Sequence, residues 1–372
     1  MKNQLSSLEI RYLVEELKAL VGGRIDKIFQ ADKQEFYFQF HVSGKGKKIL
    51  KITDKLMYLT DKKPETEAPP GFCMYLRKQL GNSRLKELKQ KESERIVEFV
   101  FDTKDKERKL IVELFGGGNL LILGENDLIL SAAHYEKFKD RDVLAKLPYE
   151  YPKMKYNLFD FTLKDLKEMF KSTNKDKLVK CLAVDLGLGG VYSEEVCLLS
   201  KIDKNQEPKK IKDNEISLIS KSIKKITKSK INSQIIYEGK GAVDTTPFPL
   251  DFYKDLESKK FDSFNEALEH YFTNEVSLVK KKESKCEKQI KELERIIKEQ
   301  ETTIKSLKNG VEENSKKAEL VYSNYRLING ILEEINKAKA KYSWDEIKKK
   351  LKGHKVVKDL DIKEKRVVIE IK

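Results

Sequence analysis

A seven-residue repeat of apolar side chains over residues 290–335 constrains the fold of this chain more than any other feature. Counted from Ile290, 12 of its 14 core positions are apolar, and the exceptions are Gln300 and Asn314. Such a repeat predicts a coiled-coil helix, whose apolar seam needs a partner helix. We therefore expect either self-association of the chain or a returning helix outside this sequence. Asn309-Gly310 lies mid-run and predicts a break into two helices.

The first 150 residues alternate between helix and strand periodicity. Apolar spacing predicts a helix over residues 5–20, which Ser6 or Ser7 caps, and a second over 72–80. Alternating apolar and polar side chains predict strands over 24–29, 35–42, 48–53, 56–60, 85–89, 95–102, 109–114, 119–123 and 127–132. The expected fold class is α+β, in which residues 1–150 form an antiparallel sheet or sandwich with helices at its rim.

Residues 151–245 are predicted to form an all-α domain. Helical spacing covers 163–170, 175–184, 193–199 and 217–227. The glycine-rich segment between the second and third helices has the form of a helix-hairpin-helix, and backbone N–H groups near Gly187, Gly189 and Gly190 could hold a phosphate. An ordinary helical turn remains an equal alternative. We assign 246–342 to the coiled coil and 343–372 to a small middle-region element with short strands.

The charge of the chain favours polyanionic partners. It carries 76 Lys and Arg against 61 Asp and Glu, a net charge of +15, and such a surface binds nucleic acid through the release of counterions. Lys224, Lys225 and Lys228 lie beside Ile223 and Ile226 in an acid-free run, which predicts an amphipathic helix with a basic face. That face could contact RNA backbone or could simply be solvated.

The sequence lacks the motifs of the common enzyme classes. It contains no P-loop, dinucleotide fingerprint, nucleophile elbow or H-E-x-x-H zinc motif. Its four cysteines and four histidines are scattered, so no local metal site is expected. We therefore predict neither enzymatic activity nor a cofactor. No apolar run reaches the roughly 18 residues of a membrane span, and the N-terminus lacks a signal-peptide core, so we expect a cytoplasmic protein without membrane contact.

Five charged residues beside the predicted sheet are the candidates for binding. Glu9 opens the first helix, where it could serve a ligand or only cap the helix. Arg95 precedes a strand and could fork onto a phosphate while Glu94 orients it, although an ordinary surface pair is equally compatible. Arg77 and Lys78 in the second helix could bind backbone phosphate or form a solvated face.

The order of several segments resembles the NFACT family, which includes RqcH-like, nuclear export mediator factor-like and fibronectin-binding protein A-like proteins. The matching segments run through nearly the whole chain: 5–9, 21–30, 70–80, 94–97, 113–120, 186–195, 247–250, 264–272 and 320–325. The family's Asp-Arg pair falls on Glu94-Arg95 and its early Asp on Glu9, so Glu replaces Asp at both positions. The family's returning coiled-coil helix and C-terminal RNA-binding domain have no counterpart here, so we expect a shortened chain.

The resemblance implies a ribosome-associated quality-control factor. Such proteins bind large ribosomal subunits that carry peptidyl-tRNA, contact rRNA, and recruit charged tRNA, expected to be alanyl-tRNA, for untemplated C-terminal tailing. The resemblance also implies an N-terminal domain like that of formamidopyrimidine-DNA glycosylases, but their catalytic N-terminal proline is missing here, so base excision is not expected. A DNA-binding or repair-like module is the first alternative, and a surface adhesin is the second.

Overall fold

The chain divides into two compact units in a computed structural model, Met1–Lys281 and Lys282–Lys372. The structure describes residues 1–64, 68–104, 106–239, 241–361, 364 and 366–370, with the backbone alone at 275–289 and 291. Within these residues every helix is too short or too polar to span a bilayer. The finer predicted division at residues 150, 245 and 342 stays a prediction.

An antiparallel sheet of nine strands forms most of the first 150 residues, as the alternation predicts. Its strands follow the order β4-β3-β2-β1-β5-β6-β7-β8-β9. The elements of this part are α1 (Ser7–Leu17), β1 (Arg24–Asp32), β2 (Glu35–Val42), β3 (Gly46–Ile52), β4 (Met57–Thr60), α2 (Gly71–Leu80), β5 (Arg84–Gln90), β6 (Ile96–Asp102), β7 (Glu107–Glu113), β8 (Asn119–Leu123), β9 (Ile129–Ala132), β10 (Glu136–Lys137) and β11 (Asp142–Val143).

The sheet folds over so that its two halves face each other. The halves join through the pairing of Arg24 in β1 with Arg84 in β5. Phe40 of β2 stacks on Phe101 of β6 with ring centroids 6.4 Å apart, and both rings are buried. In a flat sheet these strands would be about 14 Å apart, at roughly 4.8 Å per strand. The contact therefore gives the sandwich-like core expected from the sequence.

The second part of the first unit is mixed rather than all-α, so that prediction is wrong. Three strands follow the helices and form their own antiparallel sheet, in the order β13-β12-β14. The strands that contradict the all-α prediction for residues 151–245 are Gln234–Glu238 and most of Gly241–Thr246, whereas the third strand, Glu257–Lys260, lies beyond that range. The elements are α3 (Leu163–Ser172), α4 (Leu178–Val184), α5 (Gly190–Ser200), α6 (Asp213–Thr227), β12 (Gln234–Glu238), β13 (Gly241–Thr246), β14 (Glu257–Lys260) and α7 (Phe264–His270).

One long helix dominates the second unit. It continues through Asn309-Gly310, so the predicted break there is wrong, and it ends instead before Asn324. A glycine costs a helix only about 1 kcal/mol, which a helix of this length tolerates. The elements are α8 (Ser277–Ser323), α9 (Tyr325–Lys339), α10 (Trp344–Lys350), β15 (Val357–Asp361) and β16 (Arg366–Ile369).

The apolar stripe of the repeat is exposed on α8. Ile290, Leu293, Leu307 and Val311 are each more than half exposed. A small apolar cluster in the same unit instead buries Ile331 and residues around it. Coiled-coil pairing of the stripe therefore stays a prediction.

Candidate functional site

A cleft of about 830 Å³ opens within the first unit. One wall consists of the first seven residues and of residues 93–95, which join β5 to β6. The turn between α4 and α5 and residues 153–156 also line the cleft. The buried side chains of Lys2, Glu9 and Asp244 form its base. The cleft thus brings together segments that lie up to 252 residues apart in sequence, from Met1 to Tyr253.

Arg95 lies in the first wall, at the residue that precedes β6. Its Nη1 donates a hydrogen bond to Oε1 of Gln4 at 3.1 Å. No ion pair within 4 Å joins Arg95 to Glu94 among the described residues, so the predicted orienting role of Glu94 is not seen, and Gln4 holds the guanidinium instead. Burial lowers the pKa of Arg95, and the nearby Glu94 carboxylate opposes that shift. Arg95 stays a cation, with donors that Gln4 does not occupy.

The N-terminus of α5 also lines the cleft. Gly187 and Gly189 have φ of +74° and +83°, a left-handed conformation that favours glycine, and they turn the chain from α4 into α5. The first turn of α5 contains no acidic residue and no side-chain cap. Among the described residues, the backbone N–H groups of Gly190, Val191 and Tyr192 have no hydrogen-bond acceptor. These free donors and the helix dipole favour an anion in the cleft.

The base of the cleft is built around a buried lysine. The Lys2 ammonium donates to Asp244 Oδ1 at 2.9 Å, to the Thr245 carbonyl oxygen at 2.8 Å, and to Glu9. Its side chain is only 9% exposed. Burial alone would lower the pKa of Lys2, but Asp244 and Glu9 outweigh burial and raise it. Lys2 therefore remains charged and ties the first residues of the chain to β13.

Glu9 serves two structural purposes at this base. Its Oε2 accepts from the Ser6 backbone N–H at 2.8 Å, which completes the capping box of α1. Its Oε1 accepts from Lys2 and from the Tyr192 hydroxyl, the latter at 2.8 Å. Burial, together with Glu9, raises the pKa of Tyr192 well above its usual value. Glu9 is 2% exposed, and its hydrogen bonds link α1 to α5 through Tyr192 and to the first residues of the chain through Lys2.

Several predicted contact residues lie outside the cleft. Arg77 on α2 donates from Nε to the Ile28 carbonyl oxygen at 2.7 Å and lies over the Phe29 ring. It therefore helps to dock α2 on β1, and the adjacent Lys78 is exposed. The predicted basic face of α6 is confirmed as an exposed surface opposite buried isoleucines, but it does not line the cleft; its predicted contacts are Lys224, Lys225 and Lys228.

Sequence reasoning found part of the cleft but only one side chain of its base. The glycine turn, Glu9, Glu94 and Arg95 were predicted, while Lys2, Gln4, Tyr192 and Asp244 were not. Their roles depend on contacts between distant segments, such as the 242-residue separation of Lys2 and Asp244. The cleft is also lined by Lys153 and Lys155, which are exposed, and the Lys155 ammonium donates to Ser172 Oγ at 3.1 Å. The run Lys153-Met-Lys155 was the one local signal that could have indicated these residues.

Cysteine and metal chemistry contribute nothing visible to the cleft. Cys73, Cys181 and Cys197 are buried, while the side chain of Cys286 lies outside the described residues. Burial raises the pKa of the Cys181 and Cys197 thiols to about 12. In the described part of the chain, no three His, Cys, Asp or Glu side chains converge as metal ligands.

Anion binding in the cleft should depend on the protonation of Glu94. Burial raises the pKa of Glu94, and Arg95 only partly offsets this. As pH falls through that raised pKa, Glu94 becomes protonated and the cleft loses a negative charge. The affinity for an RNA oligonucleotide should therefore rise more in the wild-type chain than in a Glu94→Gln variant over the same pH range. Fluorescence anisotropy between pH 7 and pH 5 measures this. Parallel curves for the wild type and the variant would contradict it.

Comparison with known proteins places this architecture in a family. The family described as NFACT N-terminal and middle domains matches residues 6–367. The archaeal Rqc2 homolog aRqcH of Methanocaldococcus jannaschii is 32% identical in an alignment that covers 95% of this chain and 55% of that relative. The ribosome quality control complex subunit NEMF of Homo sapiens is 24% identical over 93% of this chain and 35% of the relative. The chain thus spans about half or less of the length of these curated relatives.

A solved structure supports the fold of the first unit. The fibrinogen binding protein from Staphylococcus aureus has a TM-score of 0.60 at 22% identity, over 72% of this chain and 98% of that protein. This similarity concerns the fold alone, and the predicted likeness to DNA glycosylases stays a prediction. Because the family match extends over residues 6–367, the chain belongs to the NFACT family.

Proposed function

We propose that this chain is a ribosome-associated quality-control factor that binds tRNA in its cleft. The observation that carries the proposal is that Arg95 and the open N-terminus of α5 line the same cleft. A guanidinium and a set of free N–H groups both suit phosphate oxygens. Support also comes from the relatives, since the NEMF protein is named a subunit of the ribosome quality control complex.

The geometry suggests how RNA backbone would sit in the cleft. Arg95, held by Gln4, would fork onto one phosphate, and the N–H groups at Gly190 would receive another in the manner of a helix-hairpin-helix. Lys153 and Lys155, which also line the cleft, would add positive charge. These contacts carry no base readout, so recognition would rest on the shape of folded RNA.

The wider role follows from the family resemblance. The chain would bind large subunits that carry peptidyl-tRNA and recruit charged tRNA, expected to be alanyl-tRNA, for untemplated tailing. It would do so in the cytoplasm as an adaptor, without cofactor or catalytic residue of its own. The exposed lysines of α6 would contact rRNA outside the cleft. Glu at positions 9 and 94 would have to replace the family's Asp in this work.

Duplex DNA is the second candidate ligand of the cleft. The N-terminus of α5 would accept a DNA phosphate as readily as an RNA phosphate. In this alternative the chain would bind DNA without any repair chemistry.

Co-sedimentation with ribosomal subunits tests the proposed role. The full chain should pellet with large subunits that carry peptidyl-tRNA in preference to large subunits stripped of tRNA, because the cleft would add contacts to tRNA. Small subunits at equal concentration provide the control for binding to RNA by charge alone. Equal recovery with loaded, stripped and small subunits would overturn the proposal.

A further inference from the structure

Four basic residues form a row across the sheet. Arg24 of β1 pairs with His41 of β2, which pairs with Lys47 of β3. On its other side Arg24 pairs with Arg84 of β5. Residues that lie directly opposite each other on neighbouring strands point to the same face of a sheet. Lys47, His41, Arg24 and Arg84 therefore form one continuous stripe, which we name the cross-strand basic row.

The basic row is exposed and lacks acidic partners. All four side chains are exposed, and none makes an ion pair with an acid in the described part of the chain. Arg84 donates from Nε to the Gly22 carbonyl oxygen at 3.1 Å, which leaves its terminal nitrogens for a ligand. The next residue in the row, Asp102 of β6, lies near Lys86 instead, at 3.9 Å.

The folding of the sheet does not account for this row. Like charges directly opposite each other destabilise neighbouring strands, yet Arg24 faces Arg84. On β5, Lys86 is paired with Glu107 at 2.8 Å, whereas the exposed Lys27 of β1 and Lys48 of β3 make no ion pair among the described residues. A bound polyanion would relieve the repulsion in the row, so the arrangement favours a ligand with closely spaced negative charges.

The row is distinct from the cleft. Arg84 begins β5, whereas Glu94 and Arg95 follow the other end of that strand. Seven residues of strand extend about 20 Å, at roughly 3.3 Å per residue. In the same way, α1 begins at the cleft and its far end leads through Gly22 to Arg24. A ligand in the cleft therefore leaves the row uncovered unless it is long enough to reach it.

We propose that the cross-strand basic row binds the sugar-phosphate backbone of duplex RNA. Its four strands extend about 14 Å, at roughly 4.8 Å per strand, and a duplex offers several phosphates over that length. The row contains no apolar side chain, whereas the centre of a protein interface is usually apolar, so nucleic acid suits it better than a protein. The assignment goes beyond the proposed function, because it needs no ligand in the cleft.

Salt titration of RNA binding tests this surface. The double variant Arg24→Gln/Arg84→Gln should lower the slope of log K against log salt for a short RNA duplex by about 2, since each lost phosphate contact contributes roughly 0.9. Lys164→Gln/Lys171→Gln on α3 removes the same charge from another exposed surface and should leave the slope unchanged. Arg24→Lys/Arg84→Lys should retain most of the binding, which separates loss of charge from misfolding.

The outcomes separate this surface from the cleft. A lower salt slope in the Arg24→Gln/Arg84→Gln variant, with an unaltered or higher melting temperature, supports RNA binding by the basic row. This holds even if Arg95→Ala leaves tRNA binding unchanged, because that result would contradict only the assignment of the cleft. Equal salt slopes in the row variant and in the α3 control would overturn the proposal that the row binds RNA, whatever the result with Arg95→Ala.

Discussion

Replacing Lys2 with Met is expected to destabilise the first unit by about 3–5 kcal/mol, the range found when one partner of a buried ion pair is removed. Methionine preserves most of the side-chain length but provides no donor. Glu9 and Asp244 would then face each other across the base of the cleft without a cation, although both remain buried. The loss should exceed that of any single surface charge in the chain.

Urea unfolding at neutral pH measures this effect. Lys18→Met is the matched control, because Lys18 pairs with Glu15 in an exposed i,i+3 pair, and such pairs contribute at most about 1 kcal/mol. The raised pKa of Lys2 sets the pH window. Its stabilisation is complete below the usual lysine pKa and is lost only as alkaline pH rises through the folded-state value. Equal losses in the two variants at neutral pH would contradict the buried role of Lys2.

The sequence predicted the sheet well because its strands have strong two-residue periodicity. The bounds of β2 and β8 match the prediction to the residue, and the remaining strands differ by a few residues at their ends. The strands that were not predicted lie where the local sequence shows no clear alternation of apolar and polar residues. The strands β12 and β13 follow a helical segment without a marked change in composition, and β14 has no buried side chain to set its phase.

The candidate site divides in the same way. Gly187 and Gly189 were found because a left-handed turn leaves a local glycine signal. Arg95 was found from its place beside a strand, but its actual partner, Gln4, lies 91 residues away. The burial of Lys2 could not be predicted, because a lysine near the N-terminus is ordinarily solvent-exposed. Its environment is set by Asp244, which only the fold brings beside it.

Replacing Arg95 with Ala is expected to weaken tRNA binding about 10- to 100-fold, since a hydrogen bond to a charged group contributes roughly 1.5–3 kcal/mol. The change removes the cation of the first wall while leaving the base of the cleft intact. Folding should be little affected, because the one hydrogen bond lost with a described side chain is that to Gln4.

Arg108→Ala provides a close control for this variant. Arg108, like Arg95, donates a hydrogen bond to a glutamine, in this case from Nε to Gln79 Oε1 at 3.2 Å. It lies on β7, outside the cleft. It removes the same charge and a similar hydrogen bond, so any general effect of net charge or stability should appear in both variants.

The measurement that tests the cleft assignment most directly is competition between tRNA and duplex DNA for the full chain as ionic strength is raised. Counterion release weakens both complexes with salt, but the shape of the cleft should leave a preference for tRNA that Arg108→Ala keeps and Arg95→Ala loses. Loss of all preference at raised salt in the wild-type chain, or identical tRNA binding by the two variants, would contradict the account.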